Sequence, residues 1–313
     1  MDPPILRGNV RGDRGSATFF ARRGWGDAQR DTLVAERTEN TMPIIDAHAH
    51  IYPDKIAAQA AHAISELYML SAHCSGFVDA LLEAERTSDL THFIVHSVAT
   101  SAHSVPHIND FISAQCATHP EFIGFGAMHP DFEDMESEVE RAASLGLHGF
   151  KLHPDSQRVD IDDPRLMKFY EIIEGRFPVV IHTGDYRYDY SHPRRLRRVL
   201  EAFPKLVVDA AHYGGWTIFE QGYDYLHDAP NPERLFIDTS SSVMLLGARR
   251  SRELIDMWGV DHVMFGSDFP LWDPAAELDA FRNLGFSPAE LEKMLCANAE
   301  RFAGVSVSRV SLS

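Results

Sequence analysis

The sequence predicts an α/β protein built as one (β/α)8 TIM barrel, and three observations support this fold class. From Met42 onward, eight short apolar runs typical of strands alternate with helix-like stretches. Residues 42–313 are enough for such a barrel, which needs about 250 residues in one domain. The first strand leads into a His-x-His motif, where the alternative fold, an open doubly wound sheet, would carry a glycine-rich phosphate loop.

The predicted strands are short and apolar throughout, as expected for parallel strands that are covered on both faces. Helix caps support several of the helices between them, for example Asp163 followed by Pro164. The strands are predicted at residues 42–50, 91–96, 122–128, 147–152, 178–181, 206–211, 235–239 and 262–265. The helices are predicted at residues 57–70, 75–86, 108–119, 133–145, 163–174, 193–203, 249–257, 274–284 and 288–303.

The N-terminal segment, residues 1–41, differs from the rest of the chain in composition. It contains seven Arg, six acidic residues and no Lys, and none of it has the apolar periodicity of a strand or helix. A segment without an apolar face cannot bury enough surface to fold by itself. We therefore predict a disordered extension at residues 1–41 and a single catalytic domain at residues 42–313.

Composition restricts the partners and the location of the protein. A formal net charge of −17 argues against binding to nucleic acid or to an anionic membrane. The sequence has no apolar run of about 18 residues and nothing that resembles a signal peptide, so a cytoplasmic protein is expected. Three widely spaced Cys do not form a disulfide framework. The expected partners are a small-molecule substrate and, as an open possibility, further copies of the chain.

Histidine and aspartate side chains stand at the carboxyl ends of four predicted strands. His48 and His50 lie two residues apart on the first strand, so their side chains share one face. His182, His212 and Asp268 end strands five, six and eight. In a (β/α)8 barrel these ends meet in the mouth, where the active site lies. Imidazole and carboxylate groups are ligands for divalent metals, so the sequence predicts a metal site there.

The ordered set of His-x-His, His, His and Asp at strand ends resembles the amidohydrolase superfamily. It is most similar to the amidohydrolase-related branch that includes aminocarboxymuconate-semialdehyde decarboxylase, and the resemblance extends over residues 44–303. It implies a (β/α)8 metalloenzyme in which His212 lies beside the metal. It also implies four ligands for one divalent ion, with zinc the expected ion: His48, His50, His182 and Asp268.

This ligand set predicts hydrolysis of a small organic substrate at a lactone, ester or amide bond. A divalent metal lowers the pKa of a bound water to about 7. Asp268 is expected to act as the general base, and His212 to orient the nucleophile or to stabilise an oxyanion. The alternative is a zinc-dependent, non-oxidative decarboxylase of a small unsaturated or aromatic carboxylic acid. The same ligands serve both reactions, so this choice stays open at the level of sequence.

Other polar residues near the predicted mouth receive weaker assignments. Lys151, at the end of strand four, is expected to bind a substrate carboxylate as an unmodified ammonium. In binuclear members of the superfamily that the sequence resembles, a lysine on strand four is carbamylated and bridges two metal ions, so a carbamylated Lys151 would imply two ions instead of one. Arg187 is a second candidate for binding a carboxylate, and Asp46 is expected to support the ligands rather than to bind metal. Three further histidines are predicted to be structural: His96, His129 and His153.

Overall fold

The structure is a computed structural model that describes residues 42–307. Its eight parallel strands are hydrogen-bonded in sequence order, which confirms the predicted (β/α)8 barrel. The backbone N–H groups of Ala47 and His50 donate to the carbonyls of Phe265 (2.8 Å) and Phe269 (2.7 Å), so the first strand also meets the last. The strands are β1 (Ile45–His50), β2 (His92–His96), β3 (Phe122–Ala127), β4 (Gly149–Leu152), β5 (Val179–Ile181), β6 (Val208–Ala210), β7 (Leu235–Asp238) and β8 (Val263–Met264).

Helices follow the strands around the barrel. The helices are α1 (Asp54–Tyr68), α2 (Val78–Thr87), α3 (Ser104–Thr118), α4 (Met135–Ser144), α5 (Pro154–Gln157), α6 (Pro164–Ile173), α7 (Pro193–Ala202), α8 (Phe219–Leu226), α9 (Val243–Trp258), α10 (Pro274–Arg282), α11 (Pro288–Glu292) and α12 (Asn298–Ala303). The predicted cap at Asp163 is present, because its side chain accepts a hydrogen bond from the Arg165 N–H at 2.9 Å.

Three local features differ from the predicted helices. The single helix predicted at 288–303 is divided by a π-helical turn at Lys293–Ala297. The sequence does not predict helix α5, because a single turn is too short to produce a periodic pattern. The sequence does not predict helix α8 either, because Gly222 within it weakens the helical pattern. That glycine is required by packing, since a Cβ atom there would lie 2.6 Å from the carbonyl oxygen of Gly214.

Apolar side chains fill the part of the barrel interior that helix α12 covers. The Phe302 ring lies 5.6 Å from the Phe125 ring and 5.5 Å from the Phe236 ring, between centroids. We call this group the floor cluster: Ile45, Ala47, Ile94, Ile123, Phe125, Val180, Ala211, Phe236, Met264, Cys296, Ala299, Phe302 and Ala303. Asn298 fixes α12 to the barrel, because its amide donates to the carbonyls of Val260 (2.8 Å) and Val263 (2.7 Å).

Gln157, at the end of α5, connects the carboxyl ends of three strands. Its amide nitrogen donates to the carbonyls of Ala99 (2.9 Å) and Met128 (2.7 Å), which follow β2 and β3. Its amide oxygen accepts a hydrogen bond from the N–H of His153, just after β4, at 3.1 Å. These three bonds hold the backbone around one side of the barrel mouth.

None of the helices within residues 42–307 has both the length and the apolar character that a membrane span requires. The predicted disordered extension at residues 1–41 lies outside the described residues and stays a prediction.

Candidate metal centre

The two histidines of β1 are buried and point into the barrel mouth. His48 Nδ1 lies 2.6 Å from a carboxylate oxygen of Asp238 on β7. A carboxylate at this distance keeps the ring proton on Nδ1, which leaves the lone pair of Nε2 free to bind a metal. His50 is also buried, and its Nδ1 has no hydrogen-bond partner. The alternation of β1 therefore directs both imidazoles to the same space, as predicted.

Asp268 meets both histidines at this point. One carboxylate oxygen lies 3.6 Å from His48 Nε2 and 3.5 Å from His50 Nε2. The other accepts a hydrogen bond from the Ser241 hydroxyl. Burial alone would raise the pKa of Asp268, but His48 and other histidines lower it to about 2. The carboxylate is therefore ionised at neutral pH, the state in which it binds a cation.

The backbone of Asp268 supports this position. Its φ angle is 64°, in the left-handed region that non-glycine residues seldom occupy. His212, at the end of β6, has a similar φ of 61°. The Asp268 N–H donates to the His48 carbonyl at 2.9 Å, and the His212 N–H donates to Asp238 at 2.9 Å. Strained backbone held by such bonds is a common feature of functional sites.

His182 and His212 form a second pair of imidazoles beside Asp268. His212 Nε2 lies 2.9 Å from His182 Nδ1. His182 Nε2 lies 3.0 Å from the Gly184 carbonyl oxygen and 3.3 Å from an Asp155 carboxylate oxygen. His182, His212 and Asp268 all line one small void of about 10 Å³, roughly the space of one water molecule. The structure thus places His182 at this void but bonds it to His212, so its role as a ligand stays a prediction.

His96 joins the cluster, although the sequence suggests a structural role for it. Its ring lies 4.4 Å from the His50 ring and 4.7 Å from the His48 ring, between centroids. Ligand atoms of the three residues lie within 4.8 Å of one another. Both His96 nitrogens are buried without a hydrogen-bond partner, which a structural role leaves unexplained. The pairing of His50 with His96 in the β1–β2 register is the signal that could have revealed it.

His153 and His129 differ from His96 because their ring nitrogens have partners. His153 Nε2 lies 2.7 Å from the Tyr68 hydroxyl, and its Nδ1 accepts a hydrogen bond from the Ser156 N–H at 3.3 Å. His129 Nδ1 accepts one from the Asp131 N–H at 3.1 Å. These bonds agree with structural roles for both residues.

Lys151 extends into the same cluster from β4. Its Nζ lies 3.0 Å from His48 Nε2, and the side chain is almost fully buried. Burial lowers the pKa of this ammonium to about 8, although Asp238 and Asp268 oppose the shift. At neutral pH the amine is therefore still mainly the charged ammonium. Its unmodified state, and hence a single metal ion, stays a prediction.

Two buried acids below the ligands were not among the predicted site residues. Asp209 on β6 and Asp238 on β7 have carboxylate oxygens within 4.8 Å of each other and of a His48 nitrogen. Burial and the neighbouring Asp238 raise the pKa of Asp209 well above its usual range. Burial would raise the pKa of Asp238 too, but His48 holds it well below that range. Each acid interrupts an apolar strand, and this was the available sequence signal.

Asp46 and Arg187 occupy supporting positions. Asp46 accepts hydrogen bonds from the Ser267 N–H (2.9 Å) and hydroxyl (2.5 Å), and therefore braces the loop that carries Asp268. Arg187 is bound to Asp185, with Nη2 and Oδ2 2.6 Å apart. Its guanidinium thus has a carboxylate partner within the protein, and its predicted role in substrate binding stays a prediction.

A mainly apolar group borders the void beside His182 and His212. Tyr68, from the end of α1, packs with Trp216 and Leu271. The Tyr68 hydroxyl lies 2.7 Å from His153 Nε2 and 3.1 Å from His182 Nε2. Burial raises the pKa of Tyr68 well above its usual range, so the phenol stays neutral. The side chains of His182 and His212 are buried beside this group.

The donor set fits a divalent metal ion. Burial keeps the imidazoles of His50 and His96 neutral, because it lowers their pKa values well below the usual range. The Nε2 atoms of His48 and His50 face Asp268 and would bind the metal, and His96 adds two buried nitrogens that have no hydrogen-bond partner. Neutral imidazoles combined with one ionised carboxylate, Asp268, suit first-row divalent ions such as zinc and manganese.

A (β/α)8 barrel with a histidine–carboxylate metal centre at the carboxyl ends of its strands defines a class of metal-dependent barrel enzymes. The amidohydrolase family model matches residues 45–305, and the chain belongs to that family of enzymes. No curated protein matches the chain at the level of sequence.

Solved structures with the same fold include several decarboxylases. A 2,6-dihydroxybenzoate decarboxylase complexed with 2,6-dihydroxybenzoate aligns with a TM-score of 0.65 and 17% identity, over 85% of this chain and 100% of its own. A dihydroxybenzoic acid decarboxylase from a Polaromonas species, with bound manganese and 2-nitroresorcinol, has a TM-score of 0.65 and 15% identity, over 87% and 100%. The 5-carboxyvanillate decarboxylase from Sphingomonas paucimobilis has a TM-score of 0.64 and 17% identity, over 85% and 100%. At this identity the likeness establishes the fold.

Proposed function

We propose that this enzyme is a metal-dependent, non-oxidative decarboxylase of a small unsaturated or aromatic carboxylic acid. The observation that carries the proposal is the apolar group of Tyr68, Trp216 and Leu271, which packs beside His182 and His212 on one side of the ligands. A carboxylate loses its hydration in such a site, and its charge spreads as carbon dioxide leaves, so exclusion of water favours the reaction. Hydrolysis, which the sequence places first, consumes a water molecule held at the metal and becomes the second candidate.

The comparisons support the same choice. Structures that share the fold over most of this chain are described as decarboxylases of dihydroxybenzoate and carboxyvanillate, and one of them contains manganese. Zinc and manganese both suit the donor set, so we propose a single divalent ion of either kind. Such an ion, held by the predicted ligands, would act as a Lewis acid on an oxygen of the substrate. The proposed ligands are His48, His50, His182 and Asp268, with His96 in reach.

Each of the remaining roles belongs to a residue at the mouth. The Lys151 ammonium would pair with an anionic oxygen of the bound acid. His212, a neutral imidazole whose pKa burial lowers to about 3, would hydrogen-bond the substrate. When the carbon–carbon bond breaks, its electron pair stays on the substrate carbon and carbon dioxide departs. Asp268 would then carry a proton from solvent to that carbon.

Hydrolysis remains the second candidate because of one feature. Asp268 is ionised and lies against the ligands, so it could serve as a general base with His212 facing the oxyanion. The two reactions are separated by their products, since only one of them releases carbon dioxide.

The test uses the metal-loaded enzyme and a panel of hydroxybenzoates, muconate-type acids, lactones, esters and amides. We expect carbon dioxide release that stops after chelation and falls about 100-fold or more in Asp268→Asn. Asp256→Asn, on the exposed face of α9, should keep wild-type activity. Metal content is measured in each variant, so that loss of chemistry is distinguished from loss of metal. Hydrolysis of a panel member without any carbon dioxide release would contradict the proposal.

A further inference from the structure

A cavity of about 690 Å³ lies beside the metal centre, between helices α1 and α3. His50, one of the proposed ligands, lines its inner wall, so the cavity reaches the site. Cavities of about 300–1,000 Å³ accommodate drug-sized organic ligands. The void next to Asp268, by contrast, is about 10 Å³. The cavity therefore has room for most of a small organic molecule, while the proposed metal-binding residues hold one end of that molecule.

The walls of this cavity are mainly apolar. Helix α1 contributes Ile64 and Leu67, and helix α3 contributes Ile108 and Phe111. Ile56, also in the wall, is 48% exposed, which is high for a side chain of its size and polarity. Apolar surface left open to water in a concave site is a common feature of ligand-binding sites.

A cation without a partner lines the same cavity. Arg158 is exposed at the end of α5, and its guanidinium forms no ion pair or hydrogen bond with other residues in 42–307. Other arginines near the mouth differ in this respect, because Arg165 is bound to Asp163 and Arg187 to Asp185. Arg158 also has a φ angle of 54°, a left-handed conformation that favours glycine. A large cationic residue therefore occupies a position where glycine would be less strained.

Asp155, the one acid that lines the cavity among residues 42–307, does not neutralise Arg158. One carboxylate oxygen of Asp155 lies 3.3 Å from His182 Nε2 and 2.8 Å from the Ser191 hydroxyl. The other oxygen of Asp155 is buried without a hydrogen-bond partner, so neither oxygen is paired with Arg158. An anionic ligand would thus find its cationic partner at Arg158.

We propose that this cavity is a second subsite, which takes an apolar arm of the substrate and binds an anionic group at the end of that arm through Arg158. The inference rests on the proposed function, because the carboxylate at the other end of the ligand is the one bound at the metal centre. The substrate class is then an extended acid with an anionic group at both ends, rather than a benzoate that carries only ring substituents.

Three probes test this subsite by calorimetry, with metal-loaded protein and with chelated protein: 4-(5-carboxypentyl)benzoate, its analogue with a terminal carboxamide on the arm, and benzoate. We expect the dicarboxylate to bind at least about tenfold more tightly than either of the other two. Arg158→Gln should remove the preference for the carboxylate over the carboxamide. Ala63→Trp, at an exposed position in the cavity wall, should remove the advantage of both arms over benzoate.

Arg249→Gln is the matched control, because Arg249 is an exposed arginine on α9, outside the cavity wall. It should leave all three affinities unchanged. Equal binding of the dicarboxylate to wild type and Arg158→Gln, or no effect of Ala63→Trp, would overturn the subsite. The expected affinity pattern without carbon dioxide release from any acid would support the subsite and contradict the proposed reaction. Carbon dioxide release from benzoates, with no gain in affinity from an arm, would support the proposed reaction and contradict the subsite.

Discussion

The floor cluster and the barrel mouth occupy the same barrel but differ in how their side chains are satisfied. The floor cluster consists of apolar residues that pack around Phe302. The mouth contains buried polar atoms without partners in His50, His96 and Asp209. An unsatisfied buried polar group costs about 1–3 kcal/mol, so these atoms lower the stability of the barrel. The comparison separates residues that stabilise the barrel from residues that are kept for ligand binding and chemistry.

The largest expected effect on stability lies in the floor cluster. Phe302→Ala should lower the free energy of unfolding by about 3–5 kcal/mol, because it removes a buried ring and leaves a cavity. Urea denaturation measures this loss. The activity of the folded fraction should stay near that of wild type, since Phe302 contacts the floor cluster and not the ligands. Met257→Ala, at a position 37% exposed, should change stability by less than about 0.5 kcal/mol. A similar small change in Phe302→Ala would contradict the assigned role of the floor cluster.

The next effect is on how the free energy of unfolding depends on pH. Buried titratable groups such as Glu277 lie in the surroundings of the mouth, whereas the floor cluster is apolar. Glu277 is fully buried, and one of its oxygens accepts a long hydrogen bond (3.4 Å) from the Met244 N–H. Burial raises the pKa of Glu277 to about 8, from about 4.5 in the unfolded chain. The unfolded state therefore loses its proton first, and stability falls as the pH rises from about 4.5 through 8.

Glu277→Gln should remove a pH-dependent loss in the free energy of unfolding on the order of 2–4 kcal/mol. The measurement is the free energy of unfolding of wild type and variant at several pH values between 5 and 8.5, at constant metal loading. Glu220→Gln, on the exposed side of α8, should keep the wild-type slope. Parallel slopes for wild type and Glu277→Gln would contradict the prediction.

The smallest of these effects is on metal affinity. Asp238→Asn keeps the shape of the side chain that holds His48 Nδ1 but removes its charge. We expect metal to bind about tenfold more weakly, which corresponds to about 1.4 kcal/mol. Competition with a chromophoric chelator measures this change. Asp279→Asn, at an exposed position on α10, is the control. Unchanged affinity in Asp238→Asn would show that His48 does not present Nε2 to a metal.

The sequence predicts those parts of the mouth that depend on a single strand. The period of two residues in β1 places His48 and His50 together, and a polar residue at the end of an apolar strand indicates Lys151 and Asp268. Both features are local, so they can be read without knowing which strands are neighbours.

Contacts between elements are harder to read from the sequence. His96 meets His50 because of the register between two strands, and Tyr68 reaches the mouth from the far end of a 15-residue helix. The pairing of His182 with His212 likewise depends on how two loops return to the barrel. None of these contacts follows from periodicity, since each requires the relative position of two elements that are distant in the chain.

Gln157 has a consequence for how this enzyme can diversify. Its amide fastens the backbone at Ala99, Met128 and His153, while the segments beyond the first two of these residues continue into the outer helices. The segment after Ala99 leads into helix α3 and lines the cavity, so substitutions there can alter the cavity wall while Gln157 holds the strand ends. Ligand preference can thus change during evolution while the hydrogen bonds of Gln157 keep the metal centre in place.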